Sequence, residues 1–340
     1  MPAEVLAHVV RGETIESVHT GHVAVVDGDG QLIASIGDPA TITYYRSACK
    51  AFQLIPCITS GAADHFGFTE EEIALGEASH SGEQRHVRIA GEMLDKGGFS
   101  MDDLHCGSHL PFNETEANRL LAAGYKPTPL HNNCSGKHAA MLAFAKHIGA
   151  DTATYEARDN RIQKRILRCI SDFTGVPEPE IAIGIDGCAA PNFAVPLRAM
   201  AKSFAKLVRP TALHETVQTA CRRVVDAMIK YPELIGGTER LDTMLMEAGE
   251  GRFISKVGAD GVWVCGVLPS ERYATGLGVA LKVADGDDQR GRPVIAVSIL
   301  KQLGLLADDA LQSLSPMPIK NRRDDEVGHV RAVMRLGLDQ

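Results

Sequence analysis

Apolar and polar positions alternate most clearly near the start of the chain. Residues 22–37, HVAVVDGDGQLIASIG, hold two apolar runs around Asp-Gly-Asp-Gly, a pattern that predicts a β-hairpin. Apolar residues at three- and four-residue spacing then predict helices over 48–55, 84–95, 137–147, 156–174, 193–207 and 211–230. Asn132 and Asn133 stand where caps for the third of these would. One short strand is expected in the middle, at Ile181–Ile185. Strands return at FISKVG and VWVCGVLP, which flank the turn Ala259-Asp260-Gly261, and at GLGVALKVAD. A last amphipathic helix is expected over 294–307, and the tail after Ser315 reads as polar and proline-containing.

Strands at both ends with helices between them predict a mixed α/β (α+β) fold, in which an antiparallel sheet built from both termini is flanked by helices and joined by a helical lobe. The expected organisation is a single catalytic domain over 1–340. Its sheet lobe covers approximately 1–60 and 250–340, and its helical lobe approximately 61–249. No repeat or linker marks a cleaner division.

Composition narrows the function classes. At 340 residues, 44% hydrophobic and 23% charged, the chain has ordinary globular values and enough length for a sizeable core. A net charge of −8 argues against nucleic acid or an acidic lipid surface as the main partner. No apolar run approaches the ~18 residues that a membrane-spanning helix needs. The start, MPAEVLAHVVRGET, lacks the basic and apolar stretches of an export signal, and the eight cysteines form no CxxC pair. The expected setting is therefore a reducing cytoplasm with mostly free thiols.

The chemistry begins at YYRSACK. Lys50 lies among Ala48, Ala51, Phe52, Leu54 and Ile55, three residues after Ser47. Residues three apart on a helix share a face, so a neutral lysine there can take the serine's proton while backbone N–H groups at the helix start stabilise an oxyanion. The same spacing also suits a capping serine and a lysine that reaches water. Two further matches act as controls, Ser203–Lys206 and Ser298–Lys301, both inside amphipathic helices, where the serine would bond the preceding turn. In GEASHSGEQRH, serine ahead of Gly-Glu-Gln reads as a helix cap, or Ser79 reads as a second hydroxyl able to relay protons. SKVGADG puts Lys256 on a strand before two glycines. It is either a ligand-facing amine or an edge lysine that deters aggregation. Cys134 in HNNCSGKHAAM and Cys188 in GIDGCAAPNF each stand beside glycine at an element end. On their own they read as buried structural thiols.

Taken together and in order, YYRSACK, GEASHSGE, NNCSGKHAAM, GIDGCAAPNF and SKVGADGV resemble the Rhizobium-type (class 3) L-asparaginases, also called asparaginase II, over roughly residues 8–335. The resemblance implies a scaffold like that of serine β-lactamases and serine-dependent glutaminases, and hydrolysis of L-asparagine to L-aspartate and ammonia. It implies catalytic roles for Ser47, Lys50, Ser79 and Lys256, with the choice of nucleophile between the two serines left open. It further implies a zinc site at Cys134, Lys137 and Cys188, with Asp186 beside it and Arg46 and His138 as neighbours of the substrate. Zinc would position substrate more than generate the nucleophile. A homodimer is implied as well.

Three rival readings remain. A penicillin-recognising enzyme also uses Ser-x-x-Lys and Lys-x-Gly, but no Ser-Asp-Asn lies between residues 50 and 256. A glutaminase differs by one methylene in its substrate. A non-catalytic zinc- or amino-acid-binding module would have no need of two serines and two lysines.

Overall fold

The computed structural model describes residues 1–338. Its strands are β1 Glu4–Arg11, β2 Thr14–Asp27, β3 Leu32–Ile36, β4 Ile42–Tyr44, β5 Ala182–Ile185, β6 Pro191–Pro196, β7 Phe253–Gly258, β8 Val262–Val267, β9 Leu277–Val283, β10 Met317–Lys320 and β11 Glu326–Ala332. Its helices are α1 Lys50–Thr59, α2 Ala62–His65, α3 Glu70–Gly76, α4 Gln84–Gly97, α5 Glu114–Ala122, α6 Ser135–His147, α7 Arg161–Thr174, α8 Leu197–Val208, α9 Glu215–Lys230, α10 Pro232–Ile235, α11 Leu241–Gly249 and α12 Gly291–Gln302. They form two compact units. Among the described residues one holds 1–48, 195–209 and 244–338, the other 49–194 and 210–243. Segment 195–209 thus goes with the sheet and 49–60 with the helical unit, where the pattern of the chain had suggested the reverse.

The first unit is built on an antiparallel sheet of order β10-β11-β1-β2-β9-β8-β7, with β3 also paired to β2. N- and C-terminal strands alternate as neighbours, as the positions of the strand patterns in the chain imply. Every residue of β7 and β8 is buried, so these strands are covered on both faces and read as continuous apolar runs. Helix α8 packs against β2, β8 and β9, and α12 against β1, β8, β9 and β11. The close approach of α8 depends on glycine: a Cβ at Gly278 would meet the Ala201 carbonyl oxygen at 1.9 Å. Strands β1, β10 and β11 were not foreseen. Their half-exposed, charged sequences carry little alternation, and the neighbouring strands rather than local propensity fix them.

In the second unit α6 is buried along residues 135–145 and packs against α1, α2, α3, α4 and α7. A helix apolar on all sides belongs in the centre of a bundle. Gly136 allows the approach of α3, because a Cβ there would lie 2.4 Å from the Leu75 carbonyl oxygen. Phe52 of α1 meets Phe173 of α7 with ring centroids 5.0 Å apart. Two boundaries differ from the periodicity: α7 starts at Arg161 rather than near 156, and residues 191–196 form strand β6 before α8 begins. β5 and β6 pair as a hairpin, Ile183 opposite Phe193.

Candidate active site

In the sheet unit, a 3-10 turn over Arg46–Cys49 carries half-buried Ser47 and leads directly into α1. The residue before Ser47 is strained: Arg46 has φ +52°, the left-handed region that a non-glycine residue rarely adopts. Its guanidinium pairs with the Asp260 carboxylate in the β7–β8 turn. Lys256 lies on β7, the last strand of the sheet, yet is only 2% exposed, so it is not a solvated edge lysine. The glycine of Lys-x-Gly serves the chain itself, since a Cβ at Gly258 would lie 2.3 Å from the Tyr45 carbonyl oxygen.

The control motifs behave structurally. Ser203 donates to the Met200 carbonyl at 2.7 Å, so the buried Tyr45 hydroxyl donates to Ser203 Oγ, also at 2.7 Å. Lys301 reaches the Asp308 carbonyl at the surface.

In the helical unit, Lys50 is 1% exposed and donates to the Ala78 carbonyl at 2.5 Å and the Asn133 carbonyl at 3.1 Å. The amine is therefore directed inward, one peptide from Ser79. Ser79 is buried, its N–H donates to Ile235 O at 2.8 Å, and its Oγ accepts from Asn133 Nδ2 at 2.8 Å. The cap expected from GEASHSGE is different. Glu83 begins α4 in a reciprocal box with His86, while Ser81 donates to Gly236 O. Neither Asn132 nor Asn133 is the N-cap of α6, which is Cys134.

Cys134, Lys137 and Cys188 come together in the same unit, all nearly fully buried, with Lys137 Nζ 2.9 Å from Cys188 Sγ. The thiols divide their proton unequally. Cys188 is held far below the ordinary thiol range, first by a hydrogen bond from Cys134, against burial and with help from the Lys137 charge. Cys134 is correspondingly pushed well above that range. Burial presses the Lys137 amine down, but the charges of Cys188 and Cys134 outweigh it and leave it raised. Two further thiols stay protonated: burial pushes Cys49 up to about 12 and Cys106 up to about 11.

His138 is also buried. Its Nδ1 lies 2.6 Å from the Tyr155 hydroxyl, its ring also hydrogen-bonds Cys188, and burial lowers it to about 4. Asp186 sits in the β5–β6 turn, where its Oδ1 accepts from Gly187 N. Strand β5, expected to be buried, has its first and last residues exposed; Cys188 itself is buried.

These donors suit a thiophilic metal. Two sulfurs and an amine converge with the His138 imidazole, which hydrogen-bonds Cys188, a surplus of polar groups for a packed interior. Among the described residues no three His, Cys, Asp or Glu form a group that could hold a metal ion. Two residues at this locus, Asn133 and His109, were not recognised from sequence. The N–H of Asn133 donates to His109 Nε2 at 3.0 Å.

The architecture and this locus define a mixed α/β protein with an interior rich in titratable groups. The chain belongs to the L-asparaginase II family, whose model matches residues 7–332, and family members are hydrolases of linear amides. No curated protein matches it significantly. Among solved structures it is similar to a probable glutaminase from Bacillus subtilis in complex with 6-diazo-5-oxo-L-norleucine, at 12% identity and TM-score 0.39, covering 84% of this chain and 85% of that one. It is also similar to a Bacillus glutaminase (11%, TM-score 0.40, 84% and 91%) and to a β-lactamase from Burkholderia ambifaria (13%, TM-score 0.35, 83% and 95%). No helix among the described residues is long and apolar enough to cross a membrane.

Proposed function

We propose that the protein hydrolyses L-asparagine to L-aspartate and ammonia through a serine acyl-enzyme. Lys50, as a neutral amine, takes the proton of Ser47, whose Oγ attacks the side-chain amide carbon of asparagine. Backbone N–H groups at the start of α1 hold the oxyanion. The amine leaves as ammonia once protonated through Ser79 and Lys256, and water then hydrolyses the β-aspartyl ester by the same relay reversed. Arg46, His138 and Asp186 border the substrate. One observation carries the reading: in a chain of this family, the Lys50 amine is buried and held on the carbonyls of Asn133 and of Ala78, the residue before Ser79.

Cys134, Lys137 and Cys188 would hold zinc, whose charge, when bound, supplies an anchor for the substrate. Ser79 in place of Ser47 as nucleophile is the second form of the mechanism, since Ser79 is the hydroxyl next to the peptide that Lys50 contacts. A homodimer in a reducing cytoplasm completes the proposal. Glutamine is the competing substrate, and one methylene separates the two by only about 1–3 kcal/mol in a pocket. Ammonia release from asparagine and glutamine in parallel tests the reading. Faster turnover of asparagine supports it, whereas equal or faster turnover of glutamine reassigns the enzyme.

A further inference from the structure

We propose that Asn133 is the positioning residue for Ser79, and that His109 in turn holds Asn133; this rests on the catalytic reading above. Each polar group of Asn133 has a distinct task. Its carbonyl accepts from Lys50 at 3.1 Å and its Nδ2 donates to Ser79 Oγ at 2.8 Å. Its backbone N–H donates to His109 Nε2 at 3.0 Å, and its Oδ1 lies 3.3 Å from His109 Nε2 and 3.8 Å from Cys134 Sγ, whose proton goes to Cys188. One residue therefore touches the candidate base, the second candidate hydroxyl and a candidate metal donor.

The donor pattern fixes the direction of each bond. His109 Nδ1 lies 2.7 Å from the Leu110 carbonyl, which can only accept, so Nδ1 carries the hydrogen and Nε2 is left to accept. Phe112 stacks on the His109 ring with centroids 4.6 Å apart and keeps it in place. At the other end, Ser79 Oγ has one lone pair occupied by the Asn133 amide. Its own hydrogen must then point away from Asn133, which narrows the orientations open to the hydroxyl.

The adjacent asparagine separates this role from support of the loop. Asn132 is buried, donates to the Cys106 carbonyl at 2.8 Å and accepts from Cys134 N at 2.9 Å. The turn into α6 is thus held by Asn132, which leaves the side chain of Asn133 to Ser79.

The test compares wild type with Asn133→Ala, Asn133→Asp, His109→Ala and His109→Gln, by steady-state ammonia release from asparagine and by thermal melting. Aspartate keeps the shape but accepts from Ser79, which reverses the bond. Asn133→Asp and Asn133→Ala should lower kcat by about a hundredfold, with KM and melting little changed. His109→Ala should lower kcat by about tenfold. His109→Gln, whose amide oxygen still accepts from Asn133 N–H, should recover most of it. A kcat near wild type in both Asn133 variants overturns the proposal. A readout independent of turnover is the Asn133 side-chain amide resonance in protein labelled with ¹⁵N-asparagine. It should shift on Ser79→Ala, and an unmoved resonance also overturns the proposal. Wild-type protein that releases no ammonia from asparagine, together with a shifted resonance, would refute the catalytic reading while leaving the Asn133–Ser79 bond in place.

Discussion

Lys50 donates to the carbonyl of Ala78, which puts a buried amine on the peptide that joins Ala78 to Ser79. Lysine so completely removed from water needs partners for its N–H groups, and two carbonyls supply them. Lys50→Met keeps the aliphatic stem and removes the amine. Its kcat should fall by about 10²–10⁴. Two carbonyls lose their donor, so stability should also fall, by about 1–3 kcal/mol. Steady-state kinetics and urea denaturation check both, and an active Lys50→Met would remove lysine from the mechanism.

Zinc binding should strengthen as pH rises. A metal held at the proposed site would displace the thiol proton of Cys134 and the ammonium proton of Lys137, groups whose proton affinity the Cys188 thiolate increases. Calorimetric titration of metal-free protein with zinc, in buffers of different ionisation enthalpy, should record net proton release and weaker binding at lower pH. Lys137→Met should weaken binding and reduce the proton release. Unchanged affinity in that variant would exclude the amine as a ligand.

Stability should fall in mild acid because of His80 and His86, stacked at 4.9 Å. Burial first, and then neighbouring positive charge, lowers His80 well below the ordinary histidine range; burial also lowers His86. The folded protein keeps both neutral while the unfolded chain takes up protons near roughly pH 6.5, so their contribution is full above that pH and is lost as pH falls through it. His80 Nδ1 accepts from Gly82 N and its Nε2 donates to Ser135 Oγ, a pattern available only to the neutral ring. The drop in urea midpoint between pH 7 and 5 should be smaller in His80→Gln, and an equal drop would clear His80.

Much of this arrangement was legible in the sequence. The β2–β3 hairpin and the β7–β8 pair follow from apolar runs on either side of a turn, and most helices from apolar residues at three- and four-residue spacing. Lys50 stood out because a lysine interrupts an apolar stretch, whereas Cys134 and Cys188 read on their own as buried structural thiols and Lys137 drew notice only through the family resemblance. Strands β1, β10 and β11 were hidden because exposed, charged strands acquire their conformation from partners distant in sequence. Asn133 read as a helix cap since nothing local distinguishes an amide that caps from one that reaches Ser79, 54 residues away. His109, in the loop HCGSHLPFN, has no periodicity to mark it.

Two glycines should respond oppositely to alanine. Gly278→Ala drives a methyl into the Ala201 carbonyl of α8, where backbone must move, and should cost about 1–3 kcal/mol or more. Gly91 lies inside α4 with open space at its Cβ position, and Gly91→Ala should stabilise by about 0.5–1 kcal/mol. Urea denaturation of the two variants measures both. A neutral Gly278→Ala would contradict the packing of α8 on β9.

The central claim is that a lysine-activated serine forms the acyl-enzyme, with Ser47 as nucleophile. Rapid acid quench of protein turning over asparagine, followed by peptide mass spectrometry, tests it most directly. The expected result is a β-aspartyl ester on the peptide containing Ser47, absent from an inactive Ser47→Ala. An ester on Ser79, or full turnover by Ser47→Ala, would contradict the assignment.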